Sequence, residues 1–168
     1  MMVSKPKSEL QLGEEPLRVV PTTLELNASP SVVGLGEEVT LYGRLHISKS
    51  VGDVNDDGRV DLYDYYMVCM CYGWEEGMPG YEWCADYDID EDGKVDLYDV
   101  YTVASYFGID VWGKKIKIQR YDPSTDSWID EFELKADENG YFEVSFLPPQ
   151  EVGVYYYRAY FPGGTYPS

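Results

Sequence analysis

Apolar and polar residues alternate at period two near both ends of the chain. "TTLELNASP" reads as a strand stopped by proline. "EEVTLYGRLHI" reads as a second, with Val39, Leu41, Leu45 and Ile47 on one face. Further on, "KKIKIQRYD" sets Ile116 and Ile118 against Lys115 and Lys117, and "SWIDEFELKA" follows the turn "DPSTD". "YFEVSFL" follows the turn "DENG" and puts Phe142, Val144 and Phe146 on one face. "GVYYYRAYF" is a last strand with two candidate inner faces, Tyr155/Tyr157/Ala159/Phe161 or Val154/Tyr156/Arg158/Tyr160. Two strands ahead of the middle of the chain cannot hold together alone, and four behind it would leave an edge bare. The economical arrangement is a single antiparallel β-sandwich interrupted between its second and third strands.

The pattern changes in the middle. "LYDYYMVCMCY" (Leu62–Tyr72) and "LYDVYTVASYF" (Leu97–Phe107) read as short helices, and Gly73 and Gly108 supply the stops. Each follows one copy of a repeat: "DVNDDGRVDLYD" from Asp53 to Asp64, and "DIDEDGKVDLYD" from Asp88 to Asp99, 35 residues later. Side-chain oxygens fall at positions 1, 3, 5, 9 and 12 of each copy, with glycine at position 6. The first copy supplies Asp53, Asn55, Asp57, Asp61 and Asp64, and the second Asp88, Asp90, Asp92, Asp96 and Asp99. The position-7 carbonyls of Arg59 and Lys94 add one ligand each. An all-oxygen set of this size on a tight loop suits one calcium ion per copy, two in all, better than zinc or magnesium. Asp56 and Glu91, at position 4, are expected to point outward. "SKSVG" leaves no room for a helix ahead of the first loop, so each unit is a loop and an exiting helix, half of an ordinary EF-hand.

These repeats resemble the type I dockerin family over about residues 52–108. The resemblance implies calcium binding and a protein partner of the cohesin type. It places recognition at positions 10–11 and 17–18, here Leu62, Tyr63, Leu97 and Tyr98, then Cys69–Met70 and Ala104–Ser105. Where cellulosomal members carry polar pairs, this chain has Leu–Tyr. The same four residues could instead pack the two helices together. The flanking strands resemble immunoglobulin-like repeats of prokaryotic surface proteins, with Tyr155 placed like a corner tyrosine. The expected fold class is therefore mixed: an immunoglobulin-like antiparallel β-sandwich (17–48 plus 111–168), a dockerin-like α insert (50–110) and an extended tail (1–16). That family runs on into one more strand beyond "FPGGTYPS". By that resemblance either the chain is cut from a longer protein, or the open edge is filled by the amphipathic tail or by a neighbour's strand, which would build polymers of the chain. The implied setting is extracellular or cell-surface, although "MMVSKPKSELQLG" shows no apolar leader core.

Charge sharpens the picture. Of the formal −18, residues 50–110 carry 16 acids and 2 bases, a net of −14, which repels itself unless a cation neutralises it. That sign argues against a nucleic-acid partner, which needs clustered Lys and Arg. No apolar run is long enough to span a bilayer. His46 is the single histidine, too few for a His-rich zinc site or a catalytic triad. An enzyme is not expected, because the carboxylates are accounted for by the two loops. Seventeen Tyr and four Trp allow an alternative, a carbohydrate-binding accessory module, although most aromatics fall at core-like positions and Trp74, Trp83 and Trp112 are expected to cement the insert. Of three cysteines, Cys69 and Cys71 are two apart on a helix and face different ways. Cys84 could bridge to Cys69 or Cys71, or all three could stay thiols.

Overall fold

The computed structural model describes residues 19–163. The alternating segments form strands β1 (Thr22–Ser29), β2 (Val39–Ile47), β3 (Lys115–Asp122), β4 (Ser127–Lys135), β5 (Tyr141–Phe146) and β6 (Tyr157–Tyr160). They make two antiparallel sheets of three strands, ordered β1-β2-β5 and β4-β3-β6. Helices α1 (Leu62–Met70) and α2 (Leu97–Tyr106) lie in the chain between β2 and β3. The residues predicted to face inward on β2 are buried, and Ile116 and Ile118 meet them from β3. Phe132 of β4 sits 4.9 Å from Phe146 of β5, and Phe146 lies 5.5 Å from Tyr157 of β6, so aromatic pairs join the two sheets. The choice left open for the last strand is resolved: Tyr155, Tyr157, Ala159 and Phe161 are half-buried, while Val154, Tyr156 and Tyr160 are exposed. Tyr155 Oη donates to the carbonyl of Glu151 at 3.0 Å, tying the preceding turn to this strand.

The apolar core runs without a break from the strands into the helical segment. Val51, Val60, Val68, Val95, Val103, Ile109 and Val111 join Leu45 and Ile116 in one cluster. The two loop–helix units are cross-linked reciprocally. In the first loop, Val60 N–H donates to Ile109 O and Val60 O accepts from Gly108 N, both at 2.8 Å and both just after α2. In the second, Val95 pairs with Gly73 and Trp74, just after α1. Cys71 pairs with Cys84, joining the end of α1 to the approach to the second loop, and Cys69 is an exposed thiol.

Three expectations are corrected. Leu62, Tyr63, Leu97 and Tyr98 do not pack the helices together, because all four are more than half exposed. The helices contribute Val68, Thr102 and Val103 to the interior instead. The tyrosines are not mainly core residues, since Tyr63, Tyr66, Tyr98 and Tyr101 stand out from the helices. Trp74 packs on the core, but Trp83 and Trp112 are largely exposed and lie outside it. A helix this short has one narrow buried stripe, and its remaining large side chains have nowhere else to go. The tail at 1–16 lies outside the described residues.

Candidate metal centres

Each loop is organised by its first and last aspartates, and local rules explain why. Asp61 and Asp96 are helix N-caps, accepting from Tyr63 N and Tyr98 N at 2.7 Å. Three residues on, Asp64 and Asp99 complete capping boxes by accepting from Asp61 N and Asp96 N, at 2.8 and 2.7 Å. Their other oxygens reach back to the loop starts, accepting from Val54 N at 2.9 Å and Ile89 N at 2.7 Å. The first aspartates close each loop from the opposite end. Asp53 accepts from Asp57 N and Gly58 N at 3.1 and 3.0 Å, and Asp88 accepts from Asp92 N and Gly93 N at 3.2 and 2.9 Å. Gly58 has φ +87°, and a Cβ there would lie 2.7 Å from Val111 Cγ2, so both the turn and the packing require glycine.

Asp53, Asp64, Asp88 and Asp99 are at most 3 % exposed. Among the described residues none of the four has a cationic side chain as an ion-pair partner; Arg59 approaches Asp57 and Lys94 approaches Glu75. A buried carboxylate without a counter-charge is costly, and backbone N–H groups offset only part of it. Burial, chiefly, pushes the Asp53 carboxyl up to about 7, with Gly58 N–H opposing and the neighbouring Asp64 adding to the rise. Asp64 and Asp90 are raised as well, again mainly by desolvation. In the second loop, single oxygens of Asp88, Asp90 and Asp99 all lie within 4.8 Å of one another, close enough to share one ion. In the first loop Asn55 replaces an acid, and its Nδ2 donates to Asp57 Oδ2 at 3.1 Å while its Oδ1 accepts from Asp57 N at 3.2 Å. Oxygen-only donors, buried and short of positive charge, fit a hard divalent cation.

A pH effect follows in the metal-free protein. The folded pKa of Asp53 lies above its unfolded value of about 3.9, so the folded form binds this proton more tightly. Stability is therefore lost as pH rises from about 4 through about 7. Melting in chelator at pH 5 and pH 7.5 is expected to show the lower midpoint at pH 7.5; a higher midpoint there would contradict this account of Asp53.

Two features carried no signal in the spacing. Tyr81 Oη donates to Asp88 Oδ2 at 2.8 Å, and this bond chiefly pushes the tyrosine up to about 12. Glu91, at position 4 of the second loop, is exposed as expected. Its counterpart Asp56 is exposed as expected too, but its carboxylate is also held by Arg44 and His46 of β2.

A family model, the dockerin type I domain, matches residues 51–108, which span both loops, both helices and the connection between them. Type I dockerin domains are calcium-binding, non-catalytic modules that assemble with cohesin partners and occur in extracellular or cell-surface proteins. Neither the curated proteins nor the solved structures give a match to this chain. No helix among the described residues is long and apolar enough to cross a membrane.

Proposed function

We propose that this chain, with a type I dockerin domain at its middle, is a calcium-dependent, non-catalytic assembly module of an extracellular or cell-surface structure. The observation that carries this reading is the set of four buried aspartates without cationic partners, arranged in two matching loops. One calcium ion would sit in each loop. Asp53, Asn55, Asp57, the Arg59 carbonyl and Asp64 would hold the first, with Asp61 reaching it through water. Asp88, Asp90, Asp92, the Lys94 carbonyl and Asp99 would hold the second, with Asp96 in the water-mediated role. Each terminal oxygen of Asp64 and Asp99 accepts one N–H and keeps a lone pair for the ion.

In this reading the body is an immunoglobulin-like sandwich of 17–48 and 111–168, with 50–110 set into it. The two three-stranded sheets and the Tyr155 bond to Glu151 favour it. Leu62 and Tyr63 on α1 match Leu97 and Tyr98 on α2, and both pairs are exposed. They are the contact we assign to a cohesin-like partner.

A second mode of assembly, with copies of the chain, rests on a separate observation. Among the described residues β6 is paired only with β3, Leu24 and Leu26 of β1 stay half-buried, and the buried Tyr157 Oη has no hydrogen-bond partner. An added strand on β6, from residues 1–16 in cis or from a neighbour, would cover this side.

The test is binding to a panel of type I cohesin domains, with calcium and with chelator. Calcium-dependent binding, weakened at least about tenfold by Leu62→Asp with Leu97→Asp, is expected, since each substitution puts an unpaired charge into the contact. Binding indifferent to calcium would contradict the reading. Sizing in dilute solution tests strand addition: assemblies that vanish on deleting residues 1–16 support it, and a monomer unaffected by the deletion refutes it.

A further inference from the structure

The two loops have matching backbones but different surroundings. Asp56 and Glu91, the fourth residues, both take left-handed conformations, with φ of 54° and 58°. Glu91 is exposed and makes no hydrogen bond or ion pair among the described residues. Asp56 is held by two side chains of β2 through three contacts. Arg44 Nη1 donates to Asp56 Oδ2 at 2.7 Å, Arg44 Nη2 donates to the Asp56 carbonyl, and His46 Nδ1 lies 2.9 Å from Asp56 Oδ1. Arg44 is itself fixed. Its Nε donates to Asn139 O at 2.8 Å, in the turn before β5, and its guanidinium lies 5.0 Å from the centroid of the Tyr141 ring. The turn is held to β2 in its own right. Leu45 N donates to Gly140 O at 2.9 Å, and a Cβ on Gly140 would come within 2.1 Å of Leu45 O. On the far side of the loop, Gly58 O accepts from Val111 N at 2.9 Å.

Asp56 stands between Asn55 and Asp57, two of the oxygen donors of the first loop. A planar fork that holds both the carboxylate and the carbonyl of one residue fixes its backbone torsions and so the direction of its neighbours. The second loop has its own ties, Glu76 N to Gly93 O and Tyr81 Oη to Asp88 Oδ2, both at 2.8 Å, but none at its fourth residue among the described residues. We propose that Arg44 and His46 are positioning residues for the first metal site: β2 holds the middle of the first loop ready for its ion, whereas the middle of the second loop has no such hold. The first site should therefore bind more tightly and fill first, because less ordering is left to oppose binding. By reciprocity, an ion in the first loop should tighten β2 and β5, and one in the second should not.

This inference rests on the calcium reading, and the experiment separates the two. Calcium calorimetry is run on the full chain with Asp88→Ala, which isolates the first loop, and with Asp53→Ala, which isolates the second. Arg44→Met keeps the side-chain stem against Tyr141 and removes the grip. It is expected to weaken the first site about tenfold and leave the second unchanged. Asp56→Ser should act in the same direction, and Glu91→Ser should change neither site. Hydrogen exchange provides a second readout: calcium should slow the Leu45 and Phe142 amides in the parent chain and lose that effect in Arg44→Met. If Arg44→Met folds poorly, Asp56→Ser and His46→Gln carry the same comparison. Equal loss at both sites, or no loss at the first, overturns the inference alone. Absence of calcium binding in the unaltered chain overturns the reading beneath it as well.

Discussion

Asp64→Ala and Asp99→Ala are each expected to abolish calcium binding in their own loop and to destabilise the calcium-loaded protein by roughly 3–5 kcal/mol, the scale of breaking a buried hydrogen-bonded charge network. Both residues are fully buried, and each ties the helix start to the loop start through two backbone N–H groups. Hydrogen bonds to a charged group are worth about 1.5–3 kcal/mol each. The same substitution acts differently without the ion. Burial already holds the Asp64 carboxyl above the usual carboxylate range, so removing it relieves a cost in the metal-free state. The loss should therefore be larger with calcium than in chelator. Asp64→Asn sharpens the contrast: it drops the charge and keeps one of the two acceptors, but sets its Nδ2 against the other backbone N–H, so it should weaken calcium binding far more than it shifts the metal-free form. Thermal melting of each variant in calcium and in chelator checks this, and equal losses in both conditions would contradict it.

Chelation of the unaltered chain is expected to lower its melting midpoint by about 15–30 °C. A ligand at a thousandfold excess over its dissociation constant contributes about 4 kcal/mol per site, and a chain of this size shifts by about 2–4 °C per kcal/mol. Two sites then give the stated range. The core is continuous from Val60, Val95 and Val103 into Leu45 and Ile116, so the strands should lose stability together with the loops. Adding salt to the chelated protein should recover part of the loss by screening the −14 on residues 50–110. A midpoint unmoved by chelator would mean that the buried aspartates are satisfied without an ion.

Much of this was readable along the chain, because short-range rules set it. Period-two alternation located β2, β3 and β5 and their inner faces, and position 6 of each repeat required glycine. Both helices begin at the predicted residue, since a capping aspartate is a local signal, but they end slightly short of the predicted span. The rest depends on tertiary neighbours. β6 had two candidate faces, both rich in tyrosine, and the opposing Phe146 selects Tyr157. Cys84 had two candidate partners, and the end of α1 brings Cys71 to it, with 5.4 Å between Cα atoms. Leu62 and Leu97 look like core residues at helical spacing, yet each lies on the side of its helix away from Val68 and Val103. Asp56 could be placed outside the ring of donors by its position in the repeat. Its capture by Arg44 and His46 requires β2 to lie beside the loop, which no local pattern encodes.

Calcium calorimetry of the unaltered chain beside Asp53→Ala and Asp88→Ala addresses the central claim most directly. The account predicts two bound ions for the parent and one for each variant, the survivor residing in the untouched loop. A parent chain that takes up no calcium, or variants that still take up two ions, would contradict it.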